Sequence, residues 1–292
     1  MGAALSRGDH EVRATATRFA PSPTGELHLG HAYYSALFAE AQARDTDGRF
    51  LVRIEDIDRG RCRPEFETGI LEDLSWLGLR WEEPVRRQSD HMDDYAEALS
   101  RLESLGVLYP CFCTRKDIAA EIAAAGQAPH GPDGPHYPGT CRRLSAGEWH
   151  DRIGRSEAYA RRLDMDKAMA LAGPLDWSDR DRGTMSADPT RFGDVVLARK
   201  DVPTSYHLAV TLDDHLQGIT LVTRGEDLFE ATHVHRLLQA LLGLDVPEYR
   251  HHRLLRGADG KRFAKRDCSL TVKALRESGR SAEEVCRRAL EG

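Results

Sequence analysis

An α/β fold, built on a parallel sheet that is split by an inserted segment and followed by a short helical tail, is predicted for this chain by three observations. Residues 15–54 read as strand, loop, helix and strand, which is a βαβ unit. Residues 111–141 hold three cysteines around a stretch dense in proline and glycine, a composition unsuited to a packed element. Strand and helix patterns then return from residue 194 onward. With 292 residues, 40% of them apolar, the chain can hold two domains or one α/β domain with an insertion.

In chain order, residues 1–14 are a polar, flexible tail; Gly2 and Ser6 match a myristoylation pattern, but a frayed end is the reading adopted. Residues 15–20 (TATRFA) form a short strand that Pro21, Pro23 and Gly25 must break. Residues 30–44 follow the helical period, and 49–54 (RFLVRI) read as a buried strand ended by the acidic run from Glu55 to Asp58. Pro64 opens a helix in which Phe66, Ile70, Leu74 and Leu77 recur at helical spacing, and Gly78 closes it. A further helix covers 89–105, and 126–139 is an irregular loop. Strands are expected at 194–198, 207–212 and 219–222, a helix at 228–242 and a strand at 251–255. A basic loop over 257–267 precedes two short helices at 270–277 and 282–290. The implied division is tail 1–14, first half of the α/β core 15–110, insertion 111–192, second half 193–245, and loop with terminal helices 246–292.

Composition narrows the function. Lys and Arg total 41 against 47 Asp and Glu, a net charge of −6 that argues against indiscriminate nucleic-acid binding. Residues 253–273 nonetheless carry seven basic side chains against Asp259 and Asp267, a local site for a polyanion. The N-terminal residues lack the long apolar centre of a secretory signal, so none is expected, and no run reaches ~18 apolar residues, since 168–175 is cut by Gly173 and Pro174, so no membrane attachment is expected. Six cysteines without a secretory signal point to reduced thiols or a metal site in the cytoplasm.

Two segments suit a nucleotide. His28, Gly30 and His31 lie between a predicted strand and helix, where backbone N–H groups and the helix dipole favour an anion and Gly30 permits close approach. The late segment DGKRFAKR at 259–266 supplies cations suited to charge that builds on a triphosphate under attack. Cys111 and Cys113 with Cys141 suit zinc, which would organise a loop short of apolar residues; Tyr137, His136 and water compete for the fourth position. Cys62, Cys268 and Cys286 have no such partners nearby in sequence.

RFAPSPTGELHLGH at 18–31, RIEDID at 53–58, VTRGED at 222–227 and DGKRFAKR at 259–266 resemble, in this order, the motifs of glutamyl-tRNA synthetases. The resemblance runs from about residue 15 to 266 and implies a class I synthetase with a Rossmann-type catalytic domain, a ligase that binds ATP with Mg2+ and L-glutamate. It places His28, Gly30 and His31 on the HIGH signature and Lys265 on the second lysine of the KMSKS signature, with ATP contacts at His28, Gly30, His31 and Lys265 and catalytic roles for His28, His31 and Lys265. The sequence departs from the family at Ala264, where a serine is usual, and at Arg262 and Arg266. The amino-acid pocket falls on Arg18, Phe19, Ala20, Pro21, Ser22, Glu55, Tyr206 and Arg224. Arginines suit the two carboxylates of glutamate, Glu55 its ammonium and Tyr206 a hydroxyl contact.

CxC followed by YxxxC is similar to the zinc site of a short branch of this family, which implies one structural Zn2+ on Cys111, Cys113, Tyr137 and Cys141. The chain stops 26 residues after Arg266, and no anticodon-binding domain is expected. Length and zinc pattern together resemble the branch that joins glutamate to queuosine at the wobble position of tRNA(Asp), which implies that the anticodon loop carrying queuosine enters the active site. A cytoplasmic monomer is expected. The rival readings are a short synthetase that charges a tRNA 3′ end and a non-catalytic RNA-binding relative.

Overall fold

A computed structural model describes residues 14–28, 34–124, 130–254 and 271–291. The predicted tail over 1–13, Gly30, His31 and the segment with Lys265 lie outside the described residues, as does Cys268.

Three parallel strands, β1 (Ala16–Phe19), β2 (Arg49–Ile54) and β3 (Glu82–Arg87), open the fold. Helix α1 (Tyr34–Arg44) connects the first two and α2 (Pro64–Trp76) the next. Ala36, Ala39 and Ala43 form the buried stripe of α1, and their small side chains let the helix sit close enough for the Thr17 hydroxyl to donate to the Ala39 carbonyl at 2.8 Å. Pro64 stands at the start of α2, where its missing N–H costs nothing, and Glu65 and Glu67 complement the helix dipole.

A second sheet, of four strands in the order β11-β12-β8-β9, starts with β11 (Leu221–Gly225) beside β12 (Glu248–His252), again parallel, with α8 (Ala231–Leu242) between them. Next to β12 run β8 (Asp176–Asp179), parallel, and its hairpin partner β9 (Gly183–Ser186). The Thr220 N–H donates to the Ala16 carbonyl at 3.0 Å and the Ala16 N–H to Thr220 Oγ1 at 2.9 Å, which ties β1 to the start of β11. Arg18, two residues on, reaches the Thr223 carbonyl at 3.0 Å, so the contacts advance in the same sense along both strands. From β1 the chain proceeds outward to β2 and β3, whereas β11 leads to β12 on the other side. The junction of β1 and β11 is therefore a switch point, where α/β sheets bind ligands beyond the carboxyl ends of the strands.

Between these sheets, β4 (Leu108–Cys111), β7 (Ala160–Leu163) and β10 (Val196–Ala198) form a small antiparallel sheet in the order β10-β7-β4. Helices α3 (Met92–Ser104), α4 (Arg115–Ala124), α5 (Ala146–Gly154) and α6 (Met165–Ala172) and the short strands β5 (His130–Gly131) and β6 (Gly134–Pro135) surround it. The terminal helices are α9 (Val272–Glu277) and α10 (Ala282–Glu291). Among the described residues, no helix is long and apolar enough to cross a membrane.

Two expectations are corrected. The predicted strand at 207–212 is part of helix α7 (Tyr206–Leu216), capped by the Ser205 side chain. Residues 208–214 are buried, so the run shows no polar face from which a helical period could be read. The predicted strand at 251–255 is β12, which ends at His252.

Candidate active site

The residues expected to hold an amino acid come together at the switch point. Arg18 lies on β1, Glu55 directly follows β2, Arg224 lies on β11, and Tyr206 opens α7. Alternation along β1 decides which side chains reach the site. Arg18 turns toward α7, while Phe19 packs into the core with Leu27, Ala36 and Val52. Phe19 thus shapes the strand and presents no side chain to the pocket. Ala20 is half-buried, Pro21 is buried, and Ser22 is exposed. The Pro21 carbonyl accepts the Glu55 N–H at 2.9 Å, which docks the chain leaving β1 against the end of β2.

The two arginines have opposite electrostatic situations. Arg18 donates Nε and Nη2 to the two oxygens of Asp214 at 3.0 and 3.2 Å, and Nη1 to the Thr223 carbonyl at 3.0 Å. Its charge is therefore paired. Arg224, 5% exposed, donates Nε to His251 Nε2 at 3.1 Å, Nη1 to His235 Nδ1 at 3.1 Å and Nη2 to the Thr232 hydroxyl. Among the described residues these partners are all neutral acceptors. A guanidinium out of water without a counter-ion is costly, and the group that would relieve the cost is an anion.

Arg53 and the end of α7 organise the rest. Arg53 has no exposed surface and donates to Asp214 at 2.8 Å, Gln217 at 3.1 Å and Glu55 at 3.1 Å. Burial opposes its charge, but Asp214, Glu55 and Asp213 outweigh burial and hold Arg53 charged. Burial pushes the Glu55 carboxyl up while Arg53 and Arg18 pull it down, the first effect winning. Asp214 feels the same burial, yet Arg18 and Arg53 keep it below the ordinary range. Asp213 accepts from Arg86 at 2.8 Å, Gln88 at 2.9 Å and the Tyr95 hydroxyl at 2.9 Å. Tyr206 stands 5.7 Å from the His235 ring between centroids, and burial raises its phenol.

Sequence reasoning did not single out Arg53, Asp213, Asp214, Thr232, His235, Asp179 or His251. The signals were present as a charge inside the apolar strand RFLVRI, an acidic pair closing an apolar run, and paired histidines at 251–252. Of the nucleotide segment, His28 is half-buried, its backbone paired antiparallel with Thr271.

A second constellation sits beside the small antiparallel sheet. Cys111 at the end of β4, Cys113 and Cys141 bring their Sγ atoms within 4.8 Å of one another. Cys113 Sγ stands 3.5 Å from Cys141 Sγ and 3.4 Å from the Tyr137 hydroxyl. Around a tetrahedral zinc, bond lengths of ~2.3 Å to sulfur and ~2.0 Å to oxygen place such atoms roughly 3.8 and 3.5 Å apart, so the donor set fits. His136, the rival ligand, is bonded through Nε2 to the Arg191 carbonyl at 2.7 Å. Tyr137 is held in place by the Cys141 N–H at 2.9 Å and by the Arg162 guanidinium 4.0 Å over its ring. Hydrogen bonds from Cys111, Tyr137 and the Phe112 N–H draw the Cys141 thiol down to about 6, while the bond to Cys141 and burial push Cys111 up to about 12. Three thiolates gathered this closely call for a cation, and a divalent ion would supply it.

Residues 14–289 match the family model described as tRNA synthetases class I (E and Q), catalytic domain. The chain is 50% identical to a glutamyl-Q tRNA(Asp) synthetase of Rhodobacter capsulatus over 277 residues, covering 93% of this chain and 98% of that one. It is 42% identical to the protein of the same name from Symbiobacterium thermophilum, covering 92% of this chain and 83% of that one. A glutamate tRNA ligase of Elizabethkingia meningosepticum, solved with its amino acid, superposes with a TM-score of 0.74 at 32% identity. That match covers 87% of this chain but only 52% of the solved one, so this chain spans about half that ligase's length.

Proposed function

The chain belongs to the class I tRNA synthetases for glutamate and glutamine, within the glutamyl-Q tRNA(Asp) group, and from that premise we propose that it activates L-glutamate with ATP and transfers the glutamyl group to queuosine in tRNA(Asp). The observation that carries glutamate as substrate is Arg224, a buried guanidinium held by neutral groups.

In the first step a carboxylate oxygen of glutamate attacks the α-phosphorus of ATP, pyrophosphate leaves, and glutamyl-adenylate forms. In the second, a hydroxyl of the queuosine cyclopentenediol attacks the activated carbonyl, AMP leaves, and an ester forms. Neither step needs a covalent protein intermediate, so the work of the side chains is positioning and charge stabilisation. Arg224 takes one substrate carboxylate. Arg18 spends three of its five donor hydrogens on Asp214 and Thr223, and the other two with the Tyr206 hydroxyl meet the second. Glu55, kept by Arg53, takes the ammonium. His28, His31 and Lys265 would stabilise the charge of the phosphates, and Mg2+ would arrive with ATP.

Zinc on Cys111, Cys113, Tyr137 and Cys141 supplies structural order to the insertion and no chemistry to the reaction. The anticodon loop with its queuosine takes the place that an acceptor end takes in a charging synthetase, and the reaction belongs in the cytoplasm with the chain acting as a monomer. The test uses labelled glutamate, ATP and tRNA(Asp) with and without queuosine. Label is expected only on queuosine-bearing tRNA and should survive removal of the 3′-terminal adenosine. Label lost with that adenosine supports 3′-end charging instead.

A further inference from the structure

His251 is enclosed by aromatic rings. Its side chain has no exposed surface, and its ring lies 5.0 Å from Phe229, 6.0 Å from Tyr249 in a stacked arrangement and 6.1 Å from Trp177, between centroids. Its two nitrogens face opposite partners. Asp179 Oδ2 receives both the His251 backbone N–H at 3.1 Å and Nδ1 at 2.7 Å, while Asp179 Oδ1 receives the Asp181 N–H at 3.0 Å. A carboxylate holding these donors acts as an acceptor, so Nδ1 carries hydrogen. Nε2 is then a bare lone pair, and it meets the Nε–H of Arg224 at 3.1 Å. An imidazolium in this place would direct hydrogen against hydrogen and cation against cation.

We propose that His251, set in this tautomer by Asp179, is the positioning residue of Arg224: it fixes the plane of the guanidinium without cancelling its charge, which stays available to a substrate carboxylate. A carboxylate in the position of His251 would orient the arginine equally well and neutralise it, as Asp214 does for Arg18. The imidazole passes on the orientation imposed by Asp179 while keeping the negative charge one ring away. His235 and Thr232 follow the same rule, each offering Arg224 a neutral acceptor. This inference rests on the reading that Arg224 takes a substrate carboxylate.

ATP–pyrophosphate exchange gives KM for glutamate and kcat for the unsubstituted protein and for Arg224→Ala, His251→Gln and His251→Glu. Arg224→Ala examines the pocket itself, and an unchanged KM there overturns the pocket reading and the proposal with it. Given a raised KM in that variant, His251→Glu, which sets a carboxylate against the guanidinium, is expected to raise KM about tenfold or more with kcat changed far less. His251→Gln, whose amide oxygen is a neutral acceptor, is expected to stay within about threefold of the unsubstituted KM. Equal KM values for the two His251 variants overturn the proposal. A measurement on the unsubstituted protein decides the matter if a variant does not fold. Long-range 1H–15N spectra at pH 7 are expected to show hydrogen on His251 Nδ1 and none on Nε2, and hydrogen on Nε2 overturns the proposal.

Discussion

The N–H of Val272 donates to the carbonyl of Leu27 at 2.8 Å, so the chain that leaves the basic segment is bonded to the chain that enters the HxGH segment. The neighbouring pair, His28 and Thr271, forms an antiparallel bridge. Helix α9 reinforces the joint through its Thr271 cap, the Lys273–Glu26 pair at 3.5 Å and Arg276 on Asp73 at 3.0 Å. Two segments far apart in sequence, joined at His28 and Thr271, thereby share one anchor.

Asp73 gives that anchor a pH signature. It is 1% exposed, and burial raises its pKa from 3.8 to about 6 against the pull of Arg276. An acid raised in the folded state favours folding in its neutral form, a contribution complete below about 3.8 and lost as pH rises through about 6. Asp73→Asn does not titrate. Relative to the unsubstituted protein it should gain stability between pH 4 and pH 7, by at most about 3 kcal/mol. Urea denaturation at both pH values checks this, and a constant difference would contradict the assignment.

Arg53→Met should destabilise the fold by about 3–5 kcal/mol, because it leaves Asp213, Asp214 and Glu55 without their shared cation. Chemical denaturation at neutral pH measures it. A variant as stable as its parent would mean that those carboxylates are satisfied by other means.

Glu55→Gln and Arg224→Ala should each weaken glutamate binding by at least ~2 kcal/mol, about 30-fold, since each leaves a charged group of the substrate unpartnered. Isothermal titration with glutamate decides it; unaltered affinity in both would remove these residues from the pocket.

Lys265→Ala should lower adenylate formation far more than glutamate binding, because the charge proposed for it at the phosphates would act chiefly as pyrophosphate separates. Pyrophosphate exchange at saturating glutamate is the measurement, and an unchanged rate would take Lys265 out of the mechanism.

The purified protein should hold about one zinc, which Cys113→Ser should lose. Hydrogen exchange over residues 111–141 should accelerate on zinc removal before that of β1 and β2 does. The local cluster of Tyr109, Cys111, Phe112 and Cys141 is small, so a bound ion would add much of the order there. Unchanged exchange in a zinc-free protein would argue against a structural metal.

Elements whose residues carry their own periodic or capping signal were legible in the sequence. RFLVRI is β2 at the expected residues, and Pro64 with the Phe66, Ile70 and Leu74 spacing opens α2. The motifs of the sequence also hold Arg18, Glu55 and Arg224, the family resemblance adds Tyr206, and Cys111, Cys113 and Cys141 suit one metal. That α7 is a helix emerges only from packing, because an element buried all round has no polar face to reveal its period. That helix sets Tyr206 and the Asp213–Asp214 pair two turns apart. From this follows the difference between the arginines: Arg18 is paired by Asp214, whereas Arg224 meets only His251, His235 and Thr232 among the described residues. Charge compensation depends on distances between strands and helices far apart in sequence, and no local pattern encodes it.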